Sequence, residues 1–149
     1  MIILKRTNSD DEDFHLLVKE LDLDLKVRDG EEHVFYAKLN KTDKIKHIIV
    51  AYQEAEAIGC GAIRQYSHDT MEVKRMFVST HKRGQGFAST ILKALEAWCK
   101  ELNFNKCILE TGKNQPEAIR LYKKNNYNII PNFGPYADVE NSICFEKIL

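Results

Sequence analysis

The sequence has no charge of either sign to spare, because 22 lysines and arginines balance 22 aspartates and glutamates over 149 residues. A balanced chain has no long-range field to draw in nucleic acid or an anionic membrane surface, so neither is an expected partner and only local charge clusters count. Long apolar runs are missing as well. The N-terminus Met1-Ile2-Ile3-Leu4 turns polar at Lys5 and acidic at Asp10, and no stretch nears the ~20 apolar residues of a membrane-spanning helix. The expectation is a soluble, cytoplasmic protein without signal peptide or transmembrane helix. Metal and disulfide patterns are also absent. Cys60, Cys99, Cys107 and Cys144 lie far apart, form no CxxC pair and have no histidine at zinc-ligand spacing. Each sits in an apolar stretch, so buried reduced thiols and no metal are expected. No GxxxxGK[ST] phosphate loop, internal repeat, low-complexity segment or linker occurs.

What is present fits one compact domain over residues 1–149, with 44% hydrophobic residues to build its core. Ile2 to Lys5 can pair as an edge strand, and Thr7, Asn8, Ser9 and Asp10 offer helix N-caps. Phe14, Leu17, Val18, Leu21 and Leu25 recur at helical spacing until Gly30 interrupts them. A second short helix is expected through Val34 to Leu39. Ile48 to Tyr52, Ala57 to Tyr66 and Thr70 to Val78 read as three strands with connections short enough for an antiparallel meander. Ala88, Ile91, Leu92, Leu95, Trp98, Cys99 and Leu102 then share one helical face, and Lys106 to Thr111 reads as a strand. Strand, loop, helix and strand make a right-handed βαβ unit, so its two strands are expected to be parallel and close in space. Pro116 can open a further helix through Lys124, and Tyr127 to Ile130 and Ser142 to Lys147 read as two final strands.

The loop Arg83-Gly84-Gln85-Gly86-Phe87-Ala88 leads into the helical pattern. A helix that starts this way points unpaired N–H groups and its positive dipole end at an incoming anion, and Gly84 and Gly86 let a pyrophosphate come close. His81, Lys82 and Arg83 add local positive charge. An isolated RGxG is otherwise just a tight strand-to-helix turn.

The segment from Glu72 to Tyr127 resembles the core of the GNAT superfamily of acyl-CoA-dependent N-acetyltransferases. Met71-Glu72-Val73-Lys74-Arg75-Met76-Phe77-Val78 looks like the family's fourth strand. His81 to Gly86 fills its [QR]xxGxG/A loop with His81 in the first place, and Arg83xxGly86xAla88 fits that pattern without exception. Ala118-Ile119-Arg120-Leu121-Tyr122 with Asn126-Tyr127 is similar to the family's NxxAxxLYxxxG[FY] segment; Gln115 stands for its Asn and Asn126 for its Gly. The resemblance implies a GNAT fold of the α/β (α+β) class, with a mixed, mostly antiparallel central sheet and a βαβ acetyl-CoA-binding core. It assigns Arg83, Gly84, Gln85, Gly86, Phe87, Ala88 and Ser89 to the CoA pyrophosphate and Met76, Phe77 and Val78 to the pantetheine. Gln115, with Lys123 or Lys124, is expected at the adenine nucleotide end, and Tyr122 beside the sulfur. Acetyl-CoA and a small amine are the expected partners, and a homodimer is left open.

Amide formation from a thioester needs a neutral amine, a proton sink, oxyanion stabilisation and a donor for the leaving thiolate. Tyr122 is the candidate donor, since a phenol near pKa ~10 can serve a thiol near ~8.5. Glu72, inside an apolar strand, is either the base or half of a Glu72/Lys74 ion pair on the solvent side of the sheet. Arg64 and Arg75 are candidates to clamp an acceptor carboxylate. The loop 131–136 and the first helix, with Asp22 and Asp24, are expected to border the acceptor. The arginines favour a small amino-acid-like acceptor, whereas the aspartates favour a polyamine, an aminoglycoside or a protein lysine. Two other classes remain. Gly84xGly86xxSer89 with Glu110 mimics a dinucleotide fingerprint but lacks the third glycine. An acyl-CoA-binding sensor would keep the loop without catalysis, and Tyr122 argues against it.

Overall fold

The computed structural model describes residues 1–30 and 44–149. The helix expected over 34–39 lies outside the described residues. β1 (Ile2–Thr7) leads to α1 (Glu12–Asp29), then to the meander β2 (His47–Gln53), β3 (Glu56–Gln65) and β4 (Thr70–Val78). α2 (Phe87–Glu101), β5 (Lys106–Gly112) and α3 (Pro116–Lys124) follow, and β6 (Asn128–Ile130) and β7 (Ser142–Ile148) close the chain. The strands form one seven-stranded sheet in the order β1-β2-β3-β4-β5-β7-β6. All its pairs are antiparallel except β4 with β5. The mostly antiparallel sheet and the βαβ core are those expected. Chain order does not reveal that β7 inserts between β5 and β6.

Helices cover both faces. α2 is amphipathic, and it buries Ile91, Leu92, Leu95 and Cys99 with Met71, Val73, Tyr122 and Phe145 on one side of the sheet. α1 packs on the other side, where Phe14, Leu17 and Leu21 meet Ile48, Val50, Cys60, Ala62 and Phe77. Each fully buried side chain of this size contributes about 1.5–3 kcal/mol of transfer free energy. The α1 cap is Asp11, one residue beyond the expected cluster. Its Oδ1 accepts from the Phe14 N–H at 3.0 Å while its Oδ2 pairs with Lys5 Nζ at 2.7 Å, a cap fixed by tertiary contact as well as by local spacing. Asn126 follows the α3 cap with φ 70°, the left-handed conformation that its short amide side chain tolerates. All four cysteines are buried free thiols. Among the described residues no helix is long and apolar enough to cross a membrane.

The approach of α2 to β3 requires glycine. A Cβ on Gly59 would meet the Phe77 carbonyl oxygen at 2.8 Å and Ile91 Cδ1 at 3.0 Å. Since that oxygen belongs to the neighbouring strand and cannot turn aside, Gly59→Ala is expected to cost about 1–3 kcal/mol. A urea midpoint equal to that of the parent chain would refute this close packing.

Candidate active site between β4 and β5

β4 and β5 pair only at Thr70–Lys106, Met71–Cys107 and Glu72–Ile108. Beyond Glu72 the two strands part. The β3 partners of β4 explain the bend: Cys60 faces Phe77 and Ala62 faces Lys74, so Arg75 and Met76 together oppose Gly61. Two residues against one is a β-bulge, which bends its strand and adds local twist. Arg75 takes φ 57° there, and a Cβ on Gly61 would meet Met76 Sδ at 2.6 Å and Leu95 Cδ1 at 2.8 Å. The backbone of residues 73–78 thus has no strand beside it on the β5 side. In its place is a cleft of about 520 Å3 that runs from the loop before α2 to Tyr122.

At the loop end, Gly84 and Gly86 have φ 79° and 83°, and a Cβ on either would meet nothing within 4 Å. Their requirement is conformational, and the space in front of them is open to a ligand. Gly86 caps α2 without a side chain, so the N–H groups of Phe87, Ala88 and Ser89 are left to an incoming anion. Val78, Arg83, Phe87, Ala88 and Ser89 line the cleft, as do Met76, Phe77 and Gln115. Gln85 is exposed at the loop tip and outside the lining. His81 turns away to Glu56, with Nε2 3.0 Å from Oε2. Of the two candidate lysines on α3, Lys124 lines the cleft and Lys123 does not. Arg83 is folded inward. Its Nε donates to the Val78 carbonyl at 2.8 Å, its Nη2 lies 3.4 Å from Asp24 Oδ2, and its guanidinium stands 5.5 Å from the Phe77 ring centre.

Arg28 and Glu117 were not expected here. Arg28 Nε donates to Asp24 Oδ1 at 3.2 Å, and its other end pairs with Glu117 of α3. The chain Arg83–Asp24–Arg28–Glu117 thereby ties the loop, α1 and α3 together around the cleft. Only the Asp24/Arg28 spacing of four is visible in sequence. The link to Glu117 is tertiary and leaves no local signal.

At the other end the cleft meets Tyr122, which is 6% exposed and packed edge-on to Tyr127 and against Phe145, each with ring centres 5.8 Å apart. Burial, with a smaller effect of Glu110, pushes the Tyr122 phenol pKa upward. It is a neutral phenol, able to donate a hydrogen bond. Tyr122, Leu21, Met76 and Gln115 are shared with a smaller cavity of about 70 Å3, whose other walls include Lys74, Arg75, Glu110 and Thr111.

Glu72 and Lys74 share a face, as strand alternation requires, and pair at 3.7 Å. They are not on a solvent side. Both are buried, at 5% and 7% exposure, and Leu21 and Leu25 of α1 line the small cavity together with Lys74. Glu72 also accepts from Arg64 Nη2 at 3.2 Å, and the Arg64 side chain is 49% exposed. Arg75 is enclosed instead: its side chain is 2% exposed and its Nη2 donates to Asp22 at 2.6 Å, tying α1 to the bulge. Both helix aspartates suggested for a cationic acceptor are therefore paired with arginine in this structure. Phe133 stacks edge-on to Tyr66 at 5.4 Å and to Tyr136 at 5.8 Å. Burial raises the Tyr136 pKa, with Glu110 and Glu72 adding to it, which puts that loop beside the carboxylates.

A split parallel pair in a mostly antiparallel sheet, with an uncapped helix N-terminus at one end of the gap and a phenol at the other, defines an acyl-CoA-dependent acyltransferase architecture. The model of the acetyltransferase (GNAT) family matches residues 12–127. An IAA acetyltransferase of Azospirillum brasilense is 34% identical over 102 residues, covering 68% of this chain and 67% of that protein. A Klebsiella pneumoniae structure named as an acyl-CoA N-acyltransferase superposes with TM-score 0.84 at 28% identity, covering 100% of this chain and 98% of the other. A GNAT acetyltransferase from Elizabethkingia anophelis with acetyl-CoA bound shares the fold at TM-score 0.72 and 18% identity, over 99% and 98% of the two chains. The chain belongs to the GNAT family and is an acyl-CoA-dependent N-acetyltransferase.

The loop geometry carries a direct expectation. Gly86→Ala forces a Cβ into a left-handed conformation at about 1–2 kcal/mol and sets a methyl beside the α2 N-terminus. Acetyl-CoA affinity measured by titration calorimetry is expected to fall about tenfold or more; an unchanged affinity would place the phosphates elsewhere.

Proposed function

We propose that the protein transfers the acetyl group of acetyl-CoA to the primary amine of a small amino-acid-like acceptor. The observation that carries this reading is the cleft opened by the bulge, which joins the α2 N-terminus to Tyr122 and to the small cavity lined by Lys74, Arg75 and Glu110. In this reading Gly84, Gly86 and the first N–H groups of α2 hold the pyrophosphate, and the free edge of β4 from Met76 to Val78 pairs with the pantetheine. The β4 backbone N–H near Met76 supports the thioester oxygen as it gains charge. Glu72 takes a proton from the amine, directly or through water, and Tyr122 donates to the sulfur as the C–S bond breaks.

The acceptor class is supported by Arg64. Its guanidinium is half exposed beside Glu72 and can hold a carboxylate while the amine turns toward the thioester. A cationic acceptor has less to meet, since Asp22 is engaged by Arg75 and Asp24 by Arg28 and Arg83. Arg75, sealed under α1, acts in this reading by holding the helix and the bulge together.

Tyr122→Phe is expected to lower kcat by about a hundredfold or more while acetyl-CoA binding survives; undiminished kcat removes Tyr122 from the mechanism. Glu72→Gln is expected to abolish the acidic limb of the pH–rate profile, and an unchanged limb leaves Glu72 a structural ion-pair partner. Acceptor choice is decided by CoA release with amino acids, polyamines, aminoglycosides and lysine peptides. IAA, from the name of the Azospirillum relative, joins that panel. Release that is best with polyamines, or that is indifferent to Arg64→Ala, overturns the amino-acid-like class.

A further inference from the structure

Lys74 is a buried primary amine that the mechanism above does not use, and the inference drawn from it rests on that acyl-transfer reading. It lies on β4 between Glu72 and the bulge, and its side chain is 5% exposed. Its Nζ stands 3.7 Å from Glu72 Oε2. The cavity of about 70 Å3 that Lys74 lines is also lined by Tyr122 and Met76, which in turn line the larger cleft. Lys74 thus lines the same small space as the residues proposed to hold the thioester, with a carboxylate 3.7 Å from its Nζ. Burial is the largest influence on Lys74 and lowers its pKa; Glu72 and Glu110 oppose this, and Arg64 and Arg75 add to it. A neutral lone pair is accordingly easier to reach than on a solvated lysine.

An amine fixed beside a thioester reacts at an effective concentration far above that of a free one. We propose that Lys74 is itself an acyl acceptor: with acetyl-CoA bound and no amine substrate present, the protein acetylates its own Lys74 Nζ. Glu72 first takes one proton from the Lys74 ammonium. The freed lone pair attacks the carbonyl carbon of the thioester, the N–C bond forms and the C–S bond breaks. The sulfur leaves with its electron pair and receives the second amine proton by way of Tyr122, and Glu72 returns the first proton to solvent. The products are Nε-acetyl-Lys74 and free CoA thiol.

An amide does not turn over, so the reaction stops at one acetyl group per chain. It removes the Lys74 charge that lies 3.7 Å from Glu72 Oε2, leaves Arg64 at 3.2 Å as the cationic partner of that carboxylate, and adds an acetyl group beside the small cavity.

The test incubates the full chain with acetyl-CoA and no amine, and follows intact mass and peptide maps, with CoA release from an amine panel measured in parallel. One added acetyl group per chain is expected, mapped to Lys74 and absent from Lys74→Arg. It is expected to form about tenfold or more slowly in Tyr122→Phe and to be suppressed by a saturating amine substrate. An unmodified Lys74 in protein that releases CoA with amines overturns the proposal and leaves the acyltransferase reading intact. Acetylation spread over exposed lysines at the same rate in Tyr122→Phe also overturns it. Protein that neither binds acetyl-CoA nor releases CoA with any amine removes the reading and the proposal together. The peptide map of the parent chain decides the matter even where Lys74→Arg fails to fold.

Discussion

The bulge at Arg75 and Met76 is the constraint on which the rest of the site depends. A parallel pair that continued beyond Glu72 and Ile108 would satisfy its own backbone and leave no room for a ligand. Instead β4 turns away while keeping its β3 partners on the other side, so the sheet stays continuous at one edge of the strand and opens at the other. That opening carries a cost, since backbone groups along residues 73–78 lose a strand partner. Packing on the closed side offsets it. Gly59 and Gly61 let Ile91 and Leu95 of α2 rest directly on β3, and Arg75 is clamped by Asp22 of α1. The gap is held open from both faces of the sheet.

Charge is arranged around the same gap in a way that the neutral whole conceals. Arg28, Lys82, Arg83, Arg120 and Lys124 line the cleft against Asp24 and Glu117. Asp24 is shared between Arg28 and Arg83, so neither guanidinium is isolated while partly desolvated, and each keeps a partner that a phosphate can replace. Partly exposed pairs of this kind contribute little to folding. In the proposed reaction their use lies in holding long cationic side chains near the place where the pyrophosphate would arrive.

Local features were legible in the sequence and tertiary ones were not. The periodicities of α1 and α2, the limits of β4 and the glycine loop follow from residues that neighbour one another along the chain, so spacing alone revealed them. The position of β7 between β5 and β6 depends on which strand edge remains unpaired, and spacing carries no trace of that. The Asp11 cap is reinforced by Lys5 from β1, and the Arg28–Glu117 pair joins helices distant in sequence. The bulge was hidden for another reason: strand alternation placed Glu72 and Lys74 together, but an alternation rule cannot register an extra residue at Arg75. The same rule gave no burial, so the Glu72/Lys74 pair was readable as a surface feature when both residues are in fact buried.

The two ends of the small cavity are electrostatically unlike, and this bears on how protons move across it. Tyr122 belongs to the apolar cluster with Tyr127 and Phe145, and burial there disfavours phenolate. Such a group is suited to give a hydrogen bond to a departing sulfur, and less suited than a carboxylate to serve as the base for an incoming ammonium. The same cavity is lined by Lys74, Arg75 and Glu110, and Lys74 lies 3.7 Å from Glu72, which Arg64 also pairs. In the proposed reaction acid and base functions fall to different side chains, because Tyr122 sits in the apolar cluster on the α2 face of the sheet and Glu72 in a buried ion-pair cluster on the face toward α1. The bulge that opens the sheet brings those faces into a single cavity, and it is this juxtaposition, more than any one residue, that makes the cleft fit for acyl transfer.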